Sequence, residues 1–155
     1  RAAVDARRDP NFLVMARTDI RAVEGLGASI DRAKKLVDAG ADAIFPEAMA
    51  TLEEFAAMRA AVDVPLLANM TEFGKSELFT VQQLADVGMN LVIWPVSTLR
   101  ISMGATAGAL DELIEHGTLT GKLDEMQHSS ELYELVDYEG NNHFDSGVFN
   151  FTVKR

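Results

Sequence analysis

The chain has 155 residues, 48% of them hydrophobic, enough for one domain with a substantial buried core and unlike the composition of a disordered tail. Fourteen Lys and Arg stand against 24 Asp and Glu, and the net charge of −10 would repel phosphates and anionic lipid, so neither nucleic acid nor a membrane is an expected partner. The lack of cysteine excludes disulfides, thiolate metal ligation and a cysteine nucleophile within these residues.

No apolar run approaches the roughly 20 residues of a membrane helix, and the opening Arg1-Ala2-Ala3-Val4-Asp5-Ala6-Arg7-Arg8-Asp9 lacks the apolar core of a signal peptide. A soluble, cytoplasmic location is expected. Because residue 1 is Arg and not Met, the sequence is also expected to begin inside a longer chain.

Asn11 to Ala16 is a continuous apolar run after Asp9-Pro10, the pattern of a strand buried on both faces, and it ends in Arg17-Thr18-Asp19. After a loop at Gly25 and Gly27, Ser29 to Ala39 places Ile30, Ala33, Leu36 and Val37 on one helical face, with Gly40 as its C-terminal stop. Ala41 to Phe45 reads as a second strand ending at Pro46-Glu47-Ala48. Thr51 and Glu54 then form the pattern of a capping box ahead of a helix with Leu52, Phe55, Met58 and Val62 on one face.

Val64 to Ala68 is the third strand, and its polar end, Asn69, Thr71 and Glu72, can hold an oxygen-rich ligand; Gly74 lets the chain turn. An ordinary strand-to-helix loop, in which Asn69 and Thr71 satisfy their own backbone, is the alternative. Leu78 to Val87 is a short helix opened by Thr80 and stopped by Gly88. Asn90 to Trp94 is the fourth strand, ending at Pro95, and Ser97 to His116 the longest helix, with Arg100 in its first turn. Leu119 to Val136 reads as helical, Tyr138 to Asp145 as a polar tail, and Val148 to Phe151 as a small apolar patch docked on the barrel or on a neighbouring subunit.

Strands recur about every 25 residues, each followed by a helix, the rhythm of β/α units building a parallel sheet. The expected class is therefore α/β, and a parallel barrel would gather the polar strand ends on one face. An open nucleotide-binding sheet shares the rhythm, but Gly25-Leu26-Gly27 does not directly follow a strand and has Ile30 where a third glycine belongs. His116, His128 and His143 lack metal-ligand spacing and read as surface or core histidines.

Met15-Ala16-Arg17-Thr18-Asp19, Phe45-Pro46-Glu47-Ala48, Leu67 through Gly74, and Trp94-Pro95-Val96-Ser97 with Arg100 together resemble the strand-end motifs of the isocitrate lyase and phosphoenolpyruvate mutase superfamily, and within it the 2-methylisocitrate lyases. Met126-Gln127 ahead of Glu131-Leu132-Tyr133 fits a late run of the same enzymes. The resemblance covers nearly the whole chain but only the second half of the family's pattern. It implies the C-terminal half of a (β/α)8 barrel, with residues 11–116 as four β/α units and 117–155 as a helical extension and tail, one partial domain in all. The family's aspartate-rich Mg²⁺ site and its cysteine-bearing loop belong to the first half, so no metal ligand is expected in this segment.

The implied reaction is retro-aldol cleavage of (2R,3S)-2-methylisocitrate to pyruvate and succinate, a step of propionate catabolism through the methylcitrate cycle. Breaking that bond leaves negative charge on enolate-type oxygens, which a divalent cation and fixed positive groups must meet. By resemblance Arg17 is the catalytic candidate and also binds substrate, since its planar fork engages oxygens in two places. The bland alternative pairs Arg17 with Asp19 or Glu47 merely to close the barrel mouth. The resemblance also assigns Glu47 to orient Arg17 or hold the substrate hydroxyl, Asn69, Met70 and Thr71 to a substrate carboxylate, and Arg100 to the succinate part.

Two departures stand out: His128-Ser129-Ser130 replaces a more usual arginine after Met-Gln, and Lys75-Ser76-Glu77 a more usual Lys-Thr-Pro. Other readings are a dimethylmalate lyase, another superfamily member acting on a 2-oxo or 2-hydroxy acid, or a noncatalytic half-barrel that would aggregate or dimerise through open strand edges. The resemblance further implies a homotetramer, with Met103 to Ile114 and Leu119 to Val136 as the helices that cross to a partner subunit.

Overall fold

Four strand-and-helix pairs follow one another in a computed structural model that describes residues 1–74 and 76–148. After a short helix α1 (Ala2–Asp5) come β1 (Met15–Thr18), α2 (Arg21–Asp38), β2 (Ala43–Pro46), α3 (Leu52–Ala61), β3 (Leu67–Asn69), α4 (Val81–Asp86), β4 (Leu91–Ile93) and α5 (Ser97–His116). A 3₁₀ turn (Thr120–Glu125), α6 (Ser129–Leu135) and α7 (Tyr138–Val148) follow. The chain divides into two compact units, Arg1–Ser102 and Met103–Arg155.

In the first unit β1 and β2 pair in parallel, Arg17 opposite Phe45 and Thr18 opposite Pro46. β3 and β4 do the same, with Leu67 opposite Leu91 and Asn69 opposite Ile93. A parallel bridge between Ile44 and Leu66, with Ile44 N–H donating to the Pro65 carbonyl at 3.0 Å, joins the two pairs. The strand ends therefore arrive side by side in chain order, the arrangement that alternating β and α elements produce.

The helices close over a core of Ala33, Ile44, Met49, Phe55, Met58, Leu66, Met70 and Leu84. The expected apolar faces are the ones used: Ile30, Leu36 and Val37 pack from α2, and Phe55 and Met58 from α3, with Val62 just past its end. Both α2 and α4 end as the glycines foretold. Gly40 sits at φ 100° and donates to the Val37 carbonyl while Ala41 reaches Leu36, and Gly88, at φ 85°, and Met89 repeat the pattern on Ala85 and Leu84.

Several boundaries differ from expectation. β1 lies later than the run Asn11 to Ala16, because its register is set by pairing with β2; Phe12 and Leu13 are left 66% and 54% exposed. α2 starts at Arg21, and Gly25, at φ 86° and ψ −178°, interrupts it instead of opening a loop. The expected helix Leu119 to Val136 is broken where Met126 and His128 turn extended, and the His128 ring accepts from the Ser130 N–H to start α6. The stretch read as a polar tail is α7, helped by Asp137, whose carboxylate accepts from Gly140 N–H, and by Asn141, whose amide bonds the Val136 and Asp137 carbonyls. Of the patch Val148 to Phe151 only Val148 lies within the described residues, as Lys75 does not.

None of the described residues of the second unit is buried. Leu110, Leu113, Leu132 and Phe144 are exposed, and Tyr133 stacks on Tyr138 with ring centroids 4.9 Å apart. No helix among the described residues is long and apolar enough to cross a membrane.

Candidate active site at the strand ends

Alternation along β1 turns Thr18 inward, 7% exposed, and Arg17 outward at the carboxyl end of the strand. Glu47 follows β2 and is placed by its own N–H, which donates to the Thr18 carbonyl at 3.0 Å. Asn69 ends β3, and Thr71 follows it by two residues. Three consecutive strands thus deliver an arginine, a carboxylate, an amide and a hydroxyl to one end of the sheet.

These groups are bonded to one another. Arg17 donates from Nε to Asp19 Oδ2 at 3.0 Å and from Nη2 to Asp19 Oδ1 at 2.9 Å, and the same Nη2 lies 3.4 Å from Glu47 Oε2. The guanidinium carbon stands 4.7 Å above the Phe45 ring, a cation–π seat that fixes the plane of the fork. Asn69 Nδ2 donates to Glu47 Oε2 at 3.2 Å and Oε1 at 3.5 Å, and Thr71 Oγ1 donates to Asn69 Oδ1 at 2.9 Å. The Arg17 hydrogen bonds hold Asp19 below the usual carboxylate range, and the same bonds raise Arg17. Both stay ionised, so the guanidinium keeps its positive charge at the strand ends.

Arg17, Glu47, Asn69 and Thr71 are therefore brought together, and the alternative Arg17–Asp19 pair is present as well. Asp19, Ala22, Glu47, Ala48, Asn69, Thr71, Gly74 and Ser76 line one open cleft. Met70 does not join it: its side chain is fully buried, its Sδ accepts from Phe79 N–H at 3.4 Å, and its own N–H donates to the Ile93 carbonyl. The expected Met70 donor is thus spent inside the fold.

Arg100 makes a second cluster. Its Nη1 donates to the Glu72 carbonyl and lies 3.5 Å from Glu72 Oε2, and its guanidinium sits 5.4 Å from the Phe73 ring centroid. Ser97 Oγ donates to Glu72 Oε1, and this bond, ahead of the charge of Arg100, holds Glu72 below the usual range. In this structure Arg100 is anchored to the loop after β3, not to the Arg17 chain.

Two non-glycine residues beside these clusters have left-handed backbones: Ala48 at φ 64°, next to Glu47, and Phe73 at φ 61°, next to Glu72. Such conformations persist only where surrounding bonds over-determine them. No group of three or more His, Cys, Asp or Glu able to hold a metal occurs among the described residues, and Asp19 and Glu47, the carboxylates at the cleft, both face Arg17. This segment does not fit the divalent cation that the resemblance implies.

No local pattern marks the Phe45 seat, the Ser97–Glu72 bond or an ion pair between Arg21 and Glu54, whose partners lie 25 to 33 residues apart. Only the capping pattern at Thr51 drew attention to Glu54. Thr51 does accept from Glu54 N–H at 3.4 Å, but the Glu54 carboxylate reaches past Thr51 to Ala50 N–H, so the box is not closed as expected.

The family model described as phosphoenolpyruvate phosphomutase matches residues 1–114. The probable 2-methylisocitrate lyase 1 of Corynebacterium glutamicum is 55% identical over 151 residues, covering 97% of this chain and 50% of that protein. The crystal structure of oxaloacetate acetylhydrolase matches with a TM-score of 0.79 at 31% identity, over 89% of this chain and 48% of its own. That of 2,3-dimethylmalate lyase matches at 0.77 and 26%, over 88% and 48%. The chain spans about half the length of the curated relatives it matches.

Proposed function

This chain belongs to the phosphoenolpyruvate phosphomutase family, and on that footing we propose that it is the C-terminal half of a carbon–carbon lyase cleaving (2R,3S)-2-methylisocitrate to pyruvate and succinate. Residues 11–116 are read as four β/α units of a (β/α)8 barrel and 117–155 as its helical extension. The observation that carries the reading is the bonded chain Arg17–Glu47–Asn69–Thr71 across three successive strand ends. The 55% identity to a probable 2-methylisocitrate lyase, against 26% to 2,3-dimethylmalate lyase, supports the choice of substrate.

The reaction removes the proton of the substrate hydroxyl, turns that oxygen into the pyruvate carbonyl, and leaves the pair of the broken carbon–carbon bond on the succinate carbon, where a proton quenches it. Arg17 has the features this requires. Its guanidinium is held by Asp19, Glu47 and Phe45 before substrate arrives, so engaging a carboxylate would cost little reorganisation. Glu47 would accept from the substrate hydroxyl while its other oxygen stays on Asn69, and Thr71 would meet a carboxylate oxygen. Arg100, released from Glu72, would reach the succinate portion.

The ligands of Mg²⁺ and the proton donor to succinate are proposed to lie in the half of the barrel that these residues do not supply, and the isolated segment is expected to be inactive. The unburied second unit and the exposed Phe12 and Leu13 support assembly with further chain, in a homotetramer by resemblance.

The test is pyruvate release by the full-length protein from 2-methylisocitrate, isocitrate and 2,3-dimethylmalate. Preferred cleavage of the first is expected. No pyruvate from 2-methylisocitrate would end this reading.

A further inference from the structure

Two residues that line no part of the cleft tie its first two loops together. Arg21 follows Asp19 by two positions, and Glu54 lies in the first turn of α3. Arg21 Nε donates to Glu54 Oε2 at 3.0 Å and Nη2 to Oε1 at 2.6 Å, a two-point pair with side chains only 24% and 18% exposed. Glu54 Oε2 also accepts from Ala50 N–H at 2.7 Å. One carboxylate thus grips the β1–α2 turn and the β2–α3 loop at once.

What these loops carry gives the contact its meaning. The first presents Arg17 through Asp19, and the second presents Glu47, followed by Ala48 in its left-handed conformation. A left-handed alanine relaxes unless its flanks are held. Ala50 N–H is held by Glu54, and the Met49 carbonyl accepts from Ser76 Oγ of the third loop. Arg21 adds the link back to the first strand, and its hydrogen bonds keep Glu54 ionised, below the usual carboxylate range. Planar Arg–carboxylate pairing restricts angle as well as distance, which a single-point Lys would not.

We infer that the Arg21–Glu54 pair is a positioning clamp for the proposed reaction: it sets the placement of Glu47 relative to Arg17 without touching substrate. This rests on the lyase reading above for its kinetic consequence but not for its structural one.

The test uses the full-length protein with R21M, R21K, E54Q and R21M/E54Q, read in two ways. In 2-methylisocitrate cleavage, R21M and E54Q are each expected to lower kcat/KM about tenfold, with the double variant no worse than the poorer single and R21K recovering part of the loss, at temperatures well below every variant's Tm. In hydrogen exchange, the peptide spanning residues 46–51 is expected to exchange about tenfold faster in R21M, while the peptide spanning 66–70 keeps its wild-type rate. Additive kinetic losses, losses that track Tm and vanish on cooling, or unchanged exchange over 46–51 would each overturn the clamp. If the wild-type protein cleaves no 2-methylisocitrate, the lyase reading falls by itself and the exchange comparison still decides the clamp.

Discussion

The Asn69 amide donates to both oxygens of the Glu47 carboxylate, at 3.2 and 3.5 Å, while its own oxygen accepts from the Thr71 hydroxyl. One neutral side chain thus orients a charged group from the neighbouring strand and a polar group two residues ahead. Asn69→Asp would put a second carboxylate against Glu47 and remove both donors. We expect kcat/KM for 2-methylisocitrate to fall at least about 100-fold, the scale of losing a preorganised polar contact plus a like-charge penalty, with an unchanged circular-dichroism spectrum. Wild-type kinetics in this variant would show that Asn69 does not organise the site.

Acid should unfold the first unit through its paired carboxylates. Glu54 is lowered chiefly by the Arg21 hydrogen bonds, Asp19 by those of Arg17, and Asp42 by the Val14 N–H ahead of Arg7. A carboxylate whose folded pKa lies below its unfolded value contributes its full stability above the unfolded value, about 4, and loses it as pH falls through the folded one. Tm is therefore expected to be flat from pH 7 to about 5 and to drop below about 4. Glu54→Gln should lower Tm at pH 7 and flatten this acid limb; an equally steep limb in the variant would show that the pair is not a source of the dependence.

Ala48 offers a test of sign. At φ 64° its Cβ is strained by about 1 kcal/mol or more, which glycine would relieve against a smaller loss to unfolded-chain entropy. Ala48→Gly is expected to be neutral or to stabilise by about 0.5 kcal/mol in denaturant titration. Ala48→Val, β-branched at a left-handed position, should destabilise by more than about 1 kcal/mol. The opposite order would mean that this turn is not left-handed in solution.

Core and surface should separate cleanly at two large apolar residues. Met58 is fully buried in the cluster under the strands, and Met58→Ala is expected to cost about 2–5 kcal/mol. Phe73 is 96% exposed, so Phe73→Ala should change stability by no more than about 0.5 kcal/mol, its effect falling on Arg100, whose guanidinium it faces. Comparable losses at the two positions, measured by urea unfolding, would contradict the burial pattern.

How much of this was legible beforehand depended on whether the signal was local. Gly40, Gly88, Thr51 and Thr80 announced helix ends because capping is decided within four residues. The faces of α2 and α3 followed from periodicity. Strand register did not: the apolar run from Phe12 looked like strand throughout, but pairing with Ala43 to Pro46 decides where β1 lies. Breaks at Met126 to His128 and the helix beginning at Tyr138 turned on side-chain bonds to backbone that propensity alone does not weigh.

The site divided the same way. Arg17, Glu47, Asn69 and Thr71 stood out as polar residues ending apolar runs, and the structure brings them into one bonded chain. Met70 stood in the same motif, yet it follows β3 with its side chain fully buried, its Sδ accepting from Phe79 N–H and its own N–H donating to the Ile93 carbonyl. Arg21 and Glu54 are 33 residues apart, and nothing in either neighbourhood marks them as partners.

The most direct measurement of the central claim is pyruvate release from 2-methylisocitrate by the full-length protein beside its Arg17→Lys variant. Lysine keeps the charge but loses the fork that Asp19, Glu47 and Phe45 aim. The account predicts cleavage by the wild type and a loss of about 10²- to 10³-fold in kcat/KM in the variant. No cleavage by the wild type, or a variant that keeps the wild-type rate, would contradict it.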